Sequence, residues 1–118
     1  MTIDQEQVEE LRSCYPNLMA VEDAGQTFVL ISPLPLPSGC EPKTVDGLLC
    51  PFLRDNYPSR LFLSAKVSHS GQGQNWNAVG VMIAGRQWWA VSWHTHNNNQ
   101  RLLGMVTAHL QAFKCKQS

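Results

Sequence analysis

No sign of charge dominates this chain. Nine lysines and arginines stand against nine aspartates and glutamates over 118 residues, and the basic ones are scattered. Nucleic-acid and membrane-surface binding both draw on a clustered basic face, so neither is expected. Long apolar runs are missing too. None approaches the ~20 residues that span a bilayer, and "MTIDQEQVEEL" is acidic where a secretory leader is apolar. The expectation is a soluble, cytoplasmic protein. Cysteine is sparse: Cys14, Cys40, Cys50 and Cys115 include no C-x-x-C spacing, which argues against a zinc knuckle or a thioredoxin-type motif. In a cytosolic chain they read as free thiols, some of them buried. A chain of this length buries somewhat over ~60% of its unfolded surface, so it needs no metal or disulfide staple. One domain over residues 1–118 is the natural division.

What is present has a clear order. "TIDQEQVEELRSCYPN" predicts a helix capped by Thr2 with Gln5, or by Asp4, with Val8, Leu11 and Tyr15 on one face and Pro16 ending it. "LMAVEDAGQTFVLISPL" predicts two strands joined at a Gly-centred turn, the second rich in β-branched and aromatic residues over "TFVLI". "PLPLPSGCEP" has four prolines in ten residues, cannot continue a sheet interior, and reads as an extended connection or turn. "KTVDGLLCPFL" and "LFLSAKV" are the third and fourth strands, separated by the loop "RDNYPSR"; Cys50 in the third should behave as a small hydrophobe. A polar, Gly-rich loop, "SHSGQGQNWN", precedes a short hairpin around Ala84, Gly85 and Arg86. Leu102, Leu103, Val106, Leu110 and Phe113 then form the apolar stripe of a closing helix, with Asn98 or Asn99 as its cap. His109 falls one residue before Leu110 and is expected to be partly exposed. Helices flanking a run of strands indicate an α+β fold with the helices packed on the sheet.

The densest chemistry lies in "GRQWWAVSWHTHNNNQ", residues 85–100, which holds three tryptophans, two histidines and a serine. On a strand, Ser92 and His94 share one face, with His96 beside them if the strand extends. Trp88 or Trp89 is expected to pack beneath the closing helix.

Helix, four-strand meander, proline turn and then Tyr57-Pro58 ahead of the last strand: in this order the chain resembles the ubiquitin-conjugating enzyme superfamily. "LPLPSGCEPKTVDGLLCPFLRDNYPSRLFL" is similar to the bacterial branch known as prokaryotic family E, in which an "LP-x-G" turn precedes "D-x-L-L" and "P-x-x-YP". The second matching block is "GRQWWAVSWHTHNNNQRLLGMVTAHLQAF". Members carry there a Trp, then Ser-Arg-His, then a helix rich in Leu and His; this chain has Trp88, Ser92, Trp93 in place of Arg, and His94. The likeness covers roughly residues 8–113. It implies a ubiquitin-conjugating-like fold: an N-terminal helix, a four-stranded antiparallel meander and a C-terminal helix. It also implies work in a bacterial ubiquitin-like modification pathway. There the activated C-terminus of a ubiquitin-like protein arrives from an activating enzyme, and a JAB-type isopeptidase commonly belongs to the same pathway. By the same analogy the activating enzyme docks on the N-terminal helix, whose residues 1–10 are acidic.

One departure limits the analogy. Conventional members have a His-Pro-Asn turn and a thioester cysteine after it. Here the comparable "SHSGQGQNW" has His69 without Pro-Asn, and no cysteine lies between Phe52 and Lys114. A thioester at the usual place is impossible. Three readings follow. Ser92 accepts the acyl group as an oxyester, with His94 as base, His96 and His69 as secondary candidates, and Asn97, Asn98 or Asn99 steadying the oxyanion. Alternatively the chain is an inactive variant that acts as an adaptor through its tryptophan-rich surface. The third is a zinc site on His94 and His96, but no acidic residue follows to complete a ligand set, so no metal or other cofactor is expected. Cys40, in the proline turn, is expected at the surface, but on an edge where this fold does not bind its cargo.

Overall fold

A computed structural model describes residues 5–52, 57, 59–69, 76–91 and 101–114. Helix α1 (Gln5–Cys14) buries Leu11, with Val8 and Tyr15 packed beside it, the face that the spacing predicts. The Tyr15 amide donates to the Leu11 carbonyl at 2.9 Å and closes the last turn. The cap expected at Thr2 or Asp4 lies outside the described residues.

Strands β1 (Leu18–Asp23) and β2 (Gln26–Pro35) form one hairpin. Short β3 (Cys40–Glu41), β4 (Thr44–Cys50), β5 (Arg60–Leu63) and short β6 (Ser68–His69) follow, then a second hairpin of β7 (Trp76–Ile83) and β8 (Arg86–Val91), and helix α2 (Leu102–Lys114). Both hairpins turn on Ala-Gly: φ is 52° at Ala24 and 78° at Gly25, 54° at Ala84 and 79° at Gly85. Two central residues of positive φ make the type I′ turn, whose twist matches that of the strands it joins. The main sheet has six strands in the order β1-β2-β4-β5-β8-β7, and β3 pairs with β6 apart from it. Strand pairings among the described residues are antiparallel. The protein is therefore α+β, with two helices and an antiparallel sheet among the described residues. No described helix is long and apolar enough to cross a membrane.

The expected four-strand run is present as β1, β2, β4 and β5. The proline segment departs from expectation, because β2 continues through Pro33 to Pro35. Beyond Ile31 the strand has lost β1 as a neighbour, and its register against β4 shifts between Ile31 and Leu34. A proline is tolerated at such a bulged edge because no ladder donor is needed there.

Alternation along the strands buries both faces of the meander. Val29, Ile31, Leu49, Leu61 and Leu63 point to one face and meet Leu11 of α1 and Leu102, Val106 and Phe113 of α2. Gly47 permits this packing, since a Cβ there would stand 2.6 Å from Leu34 Cδ2. Phe28, Leu48, Cys50 and Phe62 point to the other face, where Ala78, Ile83, Trp88 and Ala90 of the second hairpin cover them. Among the described residues β8 registers with β5 at Leu63 and Trp89, and the hairpin lies over that second face. Strand β7 is also irregular twice against β8, with Gly80 at φ 66° in the second irregularity, and bulges bend and twist a strand. The Ala84 amide then donates to Asp23 Oδ1 at 3.0 Å, joining the two Ala-Gly turns, and Arg86 donates to Asp46 at 3.0 Å.

Of the two tryptophans expected beneath α2, Trp88 is buried on the hairpin side instead, its indole Nε1 donating to the Ile83 carbonyl at 3.1 Å, while Trp89, next along β8, is half-buried and points to the opposite face. One expectation is corrected. Cys40 is 2% exposed and packs in the helix-side cluster.

Candidate functional site

The buried polar side chains of the described residues gather at one place. Ser59, Arg60 and His109 are 3%, 2% and 6% exposed. Ser59 and Arg60 enter β5 behind Tyr57, itself buried, and His109 comes from α2. Ser59 Oγ and His109 Nε2 are 2.9 Å apart. His109 belongs to the face of α2 that carries Leu102, Val106 and Phe113, so the expected partial exposure is corrected to burial. Positions 102, 106, 109 and 113 are spaced by four, three and four, one stripe on a helix. The signal was therefore in the sequence, and the polarity of the residue concealed it.

Arg60 spans the gap between β5 and the second hairpin. One guanidinium nitrogen donates to Asn77 Oδ1 at 2.9 Å on β7, and the other to the Val91 carbonyl at 3.3 Å at the end of β8. Its carbon lies 4.3 Å from the centre of the Tyr57 ring and 5.5 Å from that of Phe62, both within cation–π range. Burial holds the His109 pKa down at about 4, the charge of Arg60 adds to this, and a hydrogen bond with the Ser59 backbone opposes it.

A hydroxyl 2.9 Å from a neutral imidazole is the distance of a nucleophile from its base. The electrostatics are wrong for that work. Proton transfer would create an imidazolium in a buried site beside a guanidinium, and both conditions penalise it. At neutral pH the pair instead satisfies two buried polar groups and ties α2 to β5.

The residues singled out by sequence divide into two groups. Ser92, His94, His96 and Asn97 to Asn99 lie outside the described residues, as do Trp93 and Cys115. His69 is described: it pairs with Cys40 across β3 and β6, and its Nε2 donates to the Ser38 carbonyl at 3.1 Å. The two buried cysteines, Cys40 and Cys50, offer little nucleophilicity. Burial raises the pKa of Cys40. Cys50 is fully buried, its thiol 3.4 Å from the Phe52 carbonyl, and Cys14 is exposed at the end of α1. Among the described residues, no three His, Cys, Asp or Glu side chains come together as a metal site.

The start of α2 is held by α1. Gln7 Oε1 accepts from the Leu102 amide at 3.0 Å, and Arg101 pairs with Glu10 at 2.8 Å. The cap expected from Asn98 or Asn99 lies outside the described residues. Gln7 satisfies one of the free N–H groups at the helix start from a different helix, which local sequence signals do not disclose.

Compared with family models, curated proteins and solved structures, the chain matches none.

Proposed function

We propose that this chain is a ubiquitin-conjugating-like protein of a bacterial ubiquitin-like modification pathway. It takes the activated C-terminus of a ubiquitin-like protein from an activating enzyme and carries it on Ser92 as an oxyester. His94 is base or orienter, with His96 and His69 in secondary roles. The observation that carries this reading is the order and packing of the elements: a helix, a four-strand antiparallel run entered at its last strand behind a buried Tyr57, and a closing helix on the same face as the first. The burial of Cys40 and Cys50 also disfavours either of those thiols as the acceptor.

In this chemistry the Ser92 oxygen attacks the activated carbonyl and forms the ester bond. The bond from that carbonyl to the activating enzyme's sulfur breaks, and the serine proton leaves through imidazole as the thiolate departs. The runner-up, an adaptor that forms no covalent intermediate, draws on Val79 and Met82, both 60% exposed on the edge strand β7. Intact-mass analysis separates the two. The protein is mixed with ATP and the activating enzyme and ubiquitin-like protein of its own pathway. An adduct that resists thiol, breaks in alkali and vanishes in Ser92→Ala is the expected result. Active partners with no adduct would leave the adaptor.

A further inference from the structure

We propose that α2 is an acid-released element, latched to the sheet at its middle by the Ser59–His109 pair and loosened when His109 takes up a proton in that buried site. Ser59 Oγ and His109 Nε2 are 2.9 Å apart, and both residues are buried, as is Arg60. A proton on the imidazole creates a cation where water is excluded and near a guanidinium, and both conditions penalise it. Swinging out into water relieves both at once. On the elements packed against α2, Arg60 of β5 is the group whose charge acts on His109, and the Tyr57 ring lies against that guanidinium. On α1, Glu9 is engaged by Arg12, burial keeps Tyr15 protonated, and Glu10 pairs with Arg101 at the far end of α2. Among the described residues no carboxylate offsets the new charge.

The release is confined to α2 by the way the helix is attached. Its backbone hydrogen bonds close within the helix. It meets the sheet through side chains, with Leu102, Val106 and Phe113 in the apolar cluster and His109 at Ser59. Lifting it therefore breaks no strand ladder, whereas β8 is joined by backbone pairing to both β5 and β7. Proteins open in separate units, and one held by few side-chain contacts opens at lower free energy than one built into a ladder. Gln7 and Glu10 hold the first turn of α2 to α1. The opening accordingly lies beyond that turn, over the part that carries Val106, His109 and Phe113. It bares Val29, Ile31, Leu61 and Leu63, an apolar surface that is covered at neutral pH.

Native-state amide exchange tests this at pH 7 and pH 5 over a series of low urea concentrations, each rate being divided by that of an unstructured amide at the same pH. The His109 pKa is about 4 in place and returns to 6.5 once the ring is free, so any opening that frees it should be about 20-fold more populated at pH 5 than at pH 7. Leu110 and Phe113 should be less protected than Phe62 and Trp88 at both pH values, with a weaker dependence on urea. Their protection should fall about 20-fold from pH 7 to pH 5. In His109→Met that fall should vanish. Ser59→Ala keeps the imidazole and should lower the protection of Leu110 at both pH values while the fall between them persists. Leu110 and Phe113 that share the protection and urea dependence of Trp88 would show a single global transition and overturn the proposal. A local opening of α2 that is the same at pH 7 and pH 5 overturns it too, as does a pH dependence that survives His109→Met. The comparison of the two pH values on the unaltered protein stands without either variant.

Discussion

The two faces of the sheet are covered by different means. On the helix side, α1 and α2 lay Leu11, Leu102, Val106 and Phe113 on the meander, and His109, within the α2 stripe, adds a polar contact to Ser59. On the hairpin side the cover is the sheet itself, folded over at β8 and filled by Trp88 and Ile83. The helix side is joined across its elements by polar groups: His109 to Ser59, Gln7 to the Leu102 amide, Glu10 to Arg101. The hairpin side has polar links at the rim, where Asp23 and Asp46 hold the turn and Arg86, and a buried one in Arg60, which reaches Asn77 and the Val91 carbonyl. Apolar burial is strong and undirected, whereas buried hydrogen bonds are weak in net terms but costly to leave unmade. The hairpin side should therefore respond to loss of volume, and the helix side to protons and to loss of a partner.

The largest effect should come from Trp88→Ala. Removing a fully buried indole costs about 3–5 kcal/mol, and urea unfolding should show it as a fall in midpoint with little change in slope. A loss below about 1 kcal/mol would mean that the hairpin is not the principal cover of that face.

Acid should act on the other face. His109 has its pKa lowered from 6.5 to about 4 in the folded chain. The unfolded chain thus takes up a proton between these values while the folded chain does not. Stability from this group is complete above pH 6.5 and is lost as pH falls toward 4, about 3 kcal/mol in all. His109→Met should flatten that interval in a pH series of urea midpoints. Asp46 belongs to a separate window. Its hydrogen bond from Ser32 and its pairing with Arg86 lower its pKa, so its contribution is present above the ordinary value of 3.8 and disappears below it. A slope between pH 6.5 and 4 that survives His109→Met would break the assignment.

The smallest effect should follow Gln7→Ala. A lost helix cap costs about 1 kcal/mol, and amide exchange at Leu102 should quicken while exchange at Trp88 stays as it was. Faster exchange on both faces would show that the two covers are not independent.

Much of the architecture was legible in the chain. Val8, Leu11 and Tyr15 declared one helix face, and both Ala-Gly turns sit where the turn signals placed them. The proline-bearing end of β2 departs from the sequence reading because proline's effect depends on whether a strand has a neighbour, which is not a local property. Burial of Cys40 was missed for the same reason: its cover comes from residues such as Val67, far along the chain. At the site, the segment that drew attention, residues 92–100, lies outside the described residues. The polar cluster that the structure does display joins Ser59 and His109, fifty residues apart, and has no motif to announce it.

The sequence alone determined the elements and their order, because helical and strand periodicity, turn residues and breakers act over a few positions. Only the tertiary structure decided that β8 and not β7 joins β5, that the hairpin folds over the second face, and that Arg60 bridges to Asn77 and the Val91 carbonyl. Those outcomes rest on which distant surfaces exclude water from each other and which buried donors find acceptors. Such choices are made by the whole folded chain, and no short stretch of it contains them.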